Sequence, residues 1–164
     1  MEYHGILFNS ELCVGCQTCE VACQQEHGGP VGVHRIRVFK KGPYKKNGRL
    51  RLDFHMVRCM HCMDARCMEA CPVKAISRDP LGVVVVDPET CTGCKLCIEV
   101  CPISAPQFSP EKGIVELCNL CSHRTSKGKL PMCVKHCMTK ALLFGEITQI
   151  TKDLQEKRAH WERI

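Results

Sequence analysis

CTGCKLCIEVCP, residues 91–102, is the stretch that decides the fold of this chain. Its first three cysteines are each three residues apart, so that a short loop can wrap a compact inorganic core and present three sulfurs from one side. The third and fourth cysteines are four residues apart, about one helical turn, and so both face one side of a starting helix. The fourth sulfur is therefore carried away from its own loop and towards a second site.

The chain approaches this pattern four times, and all 16 of its cysteines belong to one of the four groups. In chain order the groups are Cys13, Cys16, Cys19 and Cys23; Cys59, Cys62, Cys67 and Cys71; Cys91, Cys94, Cys97 and Cys101; and Cys118, Cys121, Cys133 and Cys137. Zinc sites of four cysteines usually consist of two C-x-x-C pairs, whereas groups one and three add a third cysteine at the same spacing. The spacing therefore favours four-iron–four-sulfur clusters over zinc and over a disulfide framework.

Composition agrees with a fold held together by metal. The chain has 164 residues but only five Phe, two Tyr and one Trp, which leaves little material for a conventional core. Small cores of this kind usually depend on metals or disulfides. We find no signal-peptide pattern at the N-terminus and no apolar run long enough to span a membrane. These features predict a reducing, cytoplasmic location without membrane insertion.

The formal net charge of +6 would by itself suggest a nucleic-acid partner. Four oxidised clusters, each bound by four thiolates, would add about −8 and bring the chain near neutrality. We therefore interpret the excess Lys and Arg as compensation for cluster charge and expect no nucleic-acid partner. The sequence also has no catalytic triad, phosphate loop or dinucleotide fingerprint, so we expect electron transfer rather than catalysis.

Groups two and three are connected as in a two-cluster ferredoxin, with a strand beginning at Ala75-Ile76, a turn over 79–82 and a strand over 83–86. The parts around groups one and four repeat this unit in the opposite order. CMTKALLFGE follows Cys137 as CPVKAIS follows Cys71, and GILFNSELC precedes Cys13 as VVVVDPETC precedes Cys91. The strand after group four should therefore pair with the strand before group one.

The predicted fold class is α+β, with two bacterial-ferredoxin-like units related by pseudo-two-fold symmetry and the outer unit closed by the N- and C-terminal segments. The predicted domains are an outer, circularly permuted unit (1–32 with 102–145), a basic β-hairpin (33–58), an inner unit (59–101) and a C-terminal helix (146–164). The fourth cysteine of each group in two-cluster ferredoxins binds the other cluster. This rule predicts set A (Cys13, Cys16, Cys19, Cys137), set B (Cys23, Cys118, Cys121, Cys133), set C (Cys59, Cys62, Cys67, Cys101) and set D (Cys71, Cys91, Cys94, Cys97).

The nested order of the cysteine groups resembles the four-cluster electron-transfer subunits of molybdenum and tungsten oxidoreductases, such as dimethyl sulfoxide reductase, formate dehydrogenase and aldehyde oxidoreductase. The resemblance covers residues 6–145. Some relatives have Trp in place of the second cysteine of group three and bind a 3Fe–4S cluster there, whereas this chain has Cys94 at that position. The resemblance therefore implies four 4Fe–4S clusters, a molybdenum or tungsten catalytic partner (a nickel enzyme being the alternative), a second electron carrier and anaerobic metabolism.

Several segments outside the cysteines have two interpretations. Strand-like alternation over 33–39 and 49–56, with turns at 42–43 and 47–48, predicts paired strands with a basic tip, either merely solvated or a docking surface for an acidic partner. The C-terminal segment has one apolar helical face that either packs on its own core or clamps a partner through Trp161. The tip residues are Lys40, Lys41, Lys45, Lys46, Arg49 and Arg51.

Other side chains near the cysteines are expected to support the clusters rather than to bind iron. We predict this role for His61 and His136, a charge-balancing role for His123, Arg124 and Lys135, and packing around group two for Met56, Met60, Met63 and Met68. The leading hypothesis is an electron-transfer subunit, and the alternatives are a free-standing polyferredoxin or a zinc or nucleic-acid-binding module. Self-association is left open.

Overall fold

The computed structural model describes residues 3–161, with side chains for residues 3–155. Within this part of the chain the strands form four separate two-stranded antiparallel sheets, and most helices are a single turn. The elements are β1 His4–Phe8, α1 Thr18–His27, β2 Ile36–Lys46, β3 Arg49–Arg58, α2 Arg66–Glu69, β4 Ile76–Arg78, β5 Val84–Val86, α3 Leu96–Glu99, β6 Gln107–Ser109, β7 Ile114–Glu116, α4 Ser122–Thr125, α5 Met132–Lys135, β8 Leu142–Glu146 and α6 Ile147–Trp161.

The four cysteine loops share one backbone conformation. The residue two positions after the first cysteine has a positive φ in every group, between 51° and 67°. These residues are Gly15, His61, Gly93 and Leu120. Such values fall in the left-handed region. This conformation turns the chain sharply, and residues other than glycine adopt it only at a cost in conformational energy. The cysteine spacing thus corresponds to a repeated tight turn, and α1 and α3 begin shortly after it in groups one and three.

Two of the strand pairs were expected from the sequence. β4 pairs with β5, and the turn between them is tied by Asp79, whose carboxylate accepts hydrogen bonds from the backbone N–H groups of Leu81 and Val83. β1 pairs with β8 in antiparallel register, with His4 opposite Glu146 and Phe8 opposite Leu142. The strand before group one and the strand after group four therefore lie side by side, as the sequence repeat predicted.

The hairpin between groups one and two is confirmed, but its strands are longer than predicted. Asn47 and Gly48 both have positive φ and form the two-residue turn that joins β2 to β3, as the asparagine–glycine pair indicates. The second predicted turn, at Gly42-Pro43, is wrong. These residues lie inside β2, where the pairing register shifts between Lys41 and Tyr44, and the strand continues beyond this bulge because pairing resumes on its far side.

Helix α6 begins immediately after β8 and packs on the β1–β8 sheet. Ile150 is buried, the N–H of Ile147 donates to the carbonyl of Tyr3, and a Cβ on Gly145 would lie 2.7 Å from Cγ2 of Ile150. The start of the C-terminal helix therefore packs on its own core, which confirms one of the two interpretations for that part. The Trp161 side chain lies outside the described side chains.

No helix of the described residues is long and apolar enough to cross a membrane. The buried core is a mixture of aliphatic side chains and cysteines, including Cys19, Cys59, Cys97 and Cys118. The residues that carry the chemistry are therefore also part of the packing.

Candidate metal centres

Three cavities each bring together the four cysteines of one predicted set. All of set A lines a cavity between the β1–β8 sheet and the β2–β3 hairpin. All of set C lines a second cavity of about 340 Å³, and all of set D lines a third. In each cavity three cysteines come from one group and the fourth comes from a different group; the fourth cysteines are Cys137, Cys101 and Cys71 respectively. In these three cavities the pairing is therefore crossed, meaning that the fourth cysteine comes from a different group than the other three.

Set B lies deeper in the protein, and all four of its cysteines are buried. Burial, together with the charges of Cys118 and Cys121, raises the pKa of Cys23 to about 12. Burial also raises the pKa of Cys133, and the next causes are the charges of Cys118, Cys23 and Cys121. Each of these thiols thus lies close enough to the others to oppose their ionisation. Set B is therefore a fourth group of neighbouring thiols, although Cys23 comes from group one and lies on α1, while the other three belong to group four.

Exposure separates set B from the other three sets. The second cysteine of the loop is exposed in sets A, C and D, as Cys16, Cys62 and Cys94. The corresponding residue in set B, Cys121, is buried. Sets A, C and D therefore each place one cysteine at the surface, whereas set B places none there.

Backbone N–H groups point at the cysteine sulfurs, which is a usual feature of iron–sulfur sites. The N–H of Gly15 donates to Sγ of Cys13 at 3.4 Å, and the N–H of His61 donates to Sγ of Cys59 at 3.5 Å. The N–H of Ala75 donates to Cys71 at 3.2 Å and that of Ala105 to Cys101 at 3.4 Å. Two of the tight turns and the segments after Cys71 and Cys101 therefore supply hydrogen bonds that stabilise negatively charged sulfur.

The absence of disulfides among residues 3–155 and the raised pKa values of several cysteines are also consistent with iron binding. All sixteen cysteines are unbonded to one another. Burial raises the pKa of Cys19 to about 11 and the pKa of Cys59 to about 12. A buried thiolate is unfavourable without a compensating cation, and coordination to cationic iron supplies that compensation. The cavities, the N–H donors and the thiols together suit clusters bound by four cysteines.

Neighbouring sets follow one another in the order A, B, C, D. Charge on Cys19 of set A contributes, after burial, to the raised pKa of Cys133 in set B. Burial and then, among other causes, Cys118 of set B raise the pKa of Cys59 in set C. Burial, Cys94 and Cys67 raise the pKa of Cys97 in set D to about 11, and Cys67 belongs to set C. Each set thus lies close to the next.

The loop of set C is fastened by an arginine that sequence reasoning did not single out. Arg78 donates to the carbonyls of Cys62, Met63 and Gly82, the last two at 2.9 and 2.8 Å. It therefore ties the group-two loop to the turn between β4 and β5. No motif marks this residue, because its partners are backbone carbonyls brought near it only by the fold.

The two histidines beside cysteines differ in position. His61 is buried, its Nδ1 accepts a hydrogen bond of 3.0 Å from the N–H of Val84, and burial and two nearby arginines lower its pKa to about 3. The imidazole is therefore neutral, and its hydrogen bond with Val84 ties the set C loop to β5. His136 is exposed, and its Nδ1–H donates to the carbonyl of Met132. A third histidine, His27, was not singled out, yet its Nε2 lies 3.4 Å from Sγ of Cys121 in set B.

Two of the charged residues near group four also have a partner outside the cysteines. His123 and Arg124 both pair with the carboxylate of Glu26, at 2.7 and 3.3 Å. They therefore join α4 to α1. The charge of Arg124 also opposes the rise in the pKa of Cys121 that burial causes. Lys135 is exposed at the end of α5.

The methionine prediction holds for only part of the set. Met68 packs against the core, but Met56 lines the set A cavity rather than surrounding group two. Met60 lines the set C cavity, as predicted, although its side chain is 59% exposed, whereas Met63 is 79% exposed and contributes little packing.

Comparison with known proteins shows the family of the chain. Two models of the 4Fe-4S dicluster domain match the sequence, one over residues 50–147 and the other over residues 12–75. The B subunit of polysulfide reductase from Wolinella succinogenes is 36% identical over 147 residues, which are 88% of this chain and 77% of that protein. This protein belongs to the 4Fe–4S dicluster family of electron-transfer subunits.

Other members of the family are equally similar. The thiosulfate reductase electron transfer subunit PhsB of Salmonella typhi is 36% identical over 146 residues, covering 88% of this chain and 76% of that protein. The B subunit of anaerobic dimethyl sulfoxide reductase from Escherichia coli is 35% identical over 156 residues, covering 91% and 76%. Two dicluster domains and 16 cysteines give this member of the family four 4Fe–4S clusters.

Proposed function

We propose that this chain is the electron-transfer subunit of an oxidoreductase complex, relaying single electrons between a molybdenum or tungsten catalytic subunit and a second carrier. The observation that carries the proposal is the A–B–C–D succession of neighbouring cysteine sets. The family relatives support the nature of the partner, since they are named as subunits of polysulfide, thiosulfate and dimethyl sulfoxide reductases. A cytoplasmic location is part of the same proposal.

We further propose that sets A to D are the cluster ligands. The cavities lined by sets A, C and D and the mutual proximity of set B support this assignment. It implies two ferredoxin-like units related by a pseudo-two-fold axis, an inner unit over 59–101 and an outer unit of 1–32 with 102–145. The pairing of β1 with β8 supports closure of the outer unit by its two ends, as β4 and β5 pair within the inner one.

In this arrangement the chain's own residues hold each site and control access to it. A bound 4Fe–4S cluster supplies one-electron chemistry, taking up and releasing an electron without a large change of structure. Cys16 at one end of the order and Cys94 at the other are exposed, so partners can approach both ends. The four buried cysteines of set B keep that one site away from the surface.

The deciding experiment is anaerobic affinity purification from the native cell, with identification of co-purifying chains and assay of Fe, Mo, W, Ni and Zn. A stoichiometric partner with Mo or W supports the proposal and names the chemistry. Nickel in place of Mo or W would indicate that the partner is a hydrogenase or carbon monoxide dehydrogenase. An iron-loaded chain without a partner would make it a free polyferredoxin, and a zinc-loaded, colourless chain would contradict the iron assignment.

The β2–β3 hairpin is proposed as a docking surface for an acidic patch of the partner. Lys45 and Lys46 are exposed near its turn, and Leu50 on the facing strand is 73% exposed. The base of the hairpin, through Val38 and Met56, lines the set A cavity, so a partner bound along the hairpin would lie near that site. Complementary charge of this kind guides association and fixes orientation.

Reversing both lysine charges, Lys45→Glu with Lys46→Glu, should reduce recovery of the partner severalfold while leaving iron content unchanged. The matched control is the same double reversal at Lys127 and Lys129, which are exposed in a different loop. Equal loss with both pairs would indicate an effect of overall charge and would contradict docking by the hairpin.

A further inference from the structure

Arg58, the last residue of β3, is 5% exposed, an unusual position for an arginine. Its Nη1 donates to the carbonyl of Cys59 at 2.6 Å, and its Nη2 donates to the carbonyl of Ile6 on β1. The guanidinium is thus held between the hairpin and the β1–β8 sheet. Its position is fixed by the fold, because β3 and β1 are far apart in sequence.

The charge of Arg58 has no carboxylate partner among residues 3–155. Two carbonyl oxygens accept hydrogen bonds from the guanidinium but do not neutralise its charge. Arg35 provides a contrast, since Glu116 lies 3.3 Å from its guanidinium and compensates it. A buried charge without a counter-charge is costly, so the neighbourhood of Arg58 is expected to contain negative charge of another kind.

The neighbouring groups are cysteines of two different sets. Arg58 directly precedes Cys59 of set C and binds its carbonyl. Burial raises the pKa of Cys118 in set B, and the charge of Arg58 is the main influence that opposes this rise. One guanidinium thus contacts the backbone of a set C cysteine and lies near enough to a set B thiol to influence it. Clusters bound by four thiolates are anionic and become more so on reduction, so they supply the missing counter-charge.

We propose that Arg58 is a positioning residue that raises the reduction potentials of the clusters held by sets B and C. Reduction adds one electron to a cluster that is already anionic, and a fixed cation nearby stabilises the more negative product. Potentials of iron–sulfur clusters depend on such local charge. Arg58 therefore favours electron occupancy in the middle of the relay, between sets A and D at its ends. The inference rests on the proposed ligand sets.

The test is an anaerobic redox titration of the iron-loaded protein, followed by electron paramagnetic resonance. Signals are assigned beforehand with one cysteine variant per set. Arg58→Met removes the charge and should lower the reduction equilibrium constants of clusters B and C at least tenfold, which for a one-electron couple is about 59 mV. Arg58→Lys keeps the charge and should stay close to wild type. Arg37→Met removes an exposed charge from the same hairpin and should change neither.

Unchanged potentials in Arg58→Met, or equal shifts of all four clusters, would overturn the inference. Arg58→Gln provides a second uncharged variant. Loss of iron from both uncharged variants would also overturn it, because Arg58 would then be required for assembly rather than for tuning. Failure of the ligand assignment itself is distinguishable, since it would appear in the wild-type protein and its cysteine variants as fewer than four assignable signals.

Discussion

Replacement of Gly93 by alanine tests the close packing of the set D loop. Gly93 has φ +66°, and a Cβ there would overlap the carbonyl oxygen of Gly113 and lie 2.9 Å from Cε2 of Phe108. The matched control is Gly113→Ala, because Gly113 has nearly the same φ, +68°, but nothing within 4 Å of its Cβ position. Both substitutions carry the same backbone strain, and only the first adds a collision.

The expected sizes follow from these two contributions. Alanine in the left-handed region costs about 1 to 2 kcal/mol, so Gly113→Ala should be mild. The collision at Gly93 adds roughly 1 to 3 kcal/mol, since a backbone carbonyl cannot swing aside as a side chain can. At about 2 to 4 °C per kcal/mol for a chain of this size, Gly93→Ala should lower the midpoint by roughly 4 to 20 °C and Gly113→Ala by roughly 2 to 8 °C.

The assay is loss of iron–sulfur absorbance on anaerobic heating at one fixed rate, because metal proteins of this kind need not unfold reversibly. The collision should also affect set D before the other sets. The same midpoint for both variants would refute the close approach of the Gly93 loop to the Gly113 turn.

Three further predictions concern the wiring and the fastening of the sites. Cys137→Ala should remove the cluster of set A and spare that of set B; electron paramagnetic resonance giving the reverse would contradict the crossed pairing. Arg78→Met should free the group-two loop, so that an iron chelator removes the set C cluster faster than in wild type. Arg78→Lys should give an intermediate rate. The hydrogen bond from His123, followed by that from Arg124, lowers the pKa of Glu26 from 4.5, so its contribution to stability is present above pH 4.5 and is lost as pH falls below it. The advantage of wild type over Glu26→Gln in the rate of cluster loss should therefore shrink in acid, and a constant advantage would argue against this pair.

The sequence predicted the features that depend on local spacing. Loops of the C-x-x-C-x-x-C kind leave little freedom, and the repeated segments around Cys71 and Cys137 were enough to predict the pairing of β1 with β8. The β6–β7 hairpin was missed because its strands have three residues each and because the buried polar side chains of Ser109 and Glu116 hide the alternation of apolar residues.

The residues that were missed are those whose role depends on distant partners. Arg58 and Arg78 are two of 23 basic residues, and nothing beside them in sequence separates them from the exposed ones. Arg58 is distinguished only when β1 folds against the hairpin, and Arg78 only when the group-two loop reaches the β4–β5 turn. The hairpin bulge at Gly42-Pro43 has the same origin, since pairing beyond it overrides the local turn preference.

The same thiols serve in packing and in chemistry, and this makes folding and cluster assembly interdependent. Cys23 and Cys59 lie in the core among aliphatic side chains, where burial raises the pKa of each to about 12. Protonated, they are small apolar core residues; ionised, they require iron beside them. Binding iron releases their protons and ties segments that are distant in sequence, so the free energy of cluster binding becomes free energy of folding. A protein with so few aromatic side chains can therefore hold a fixed shape, and the clusters that carry the electrons also fix the distances between the sites.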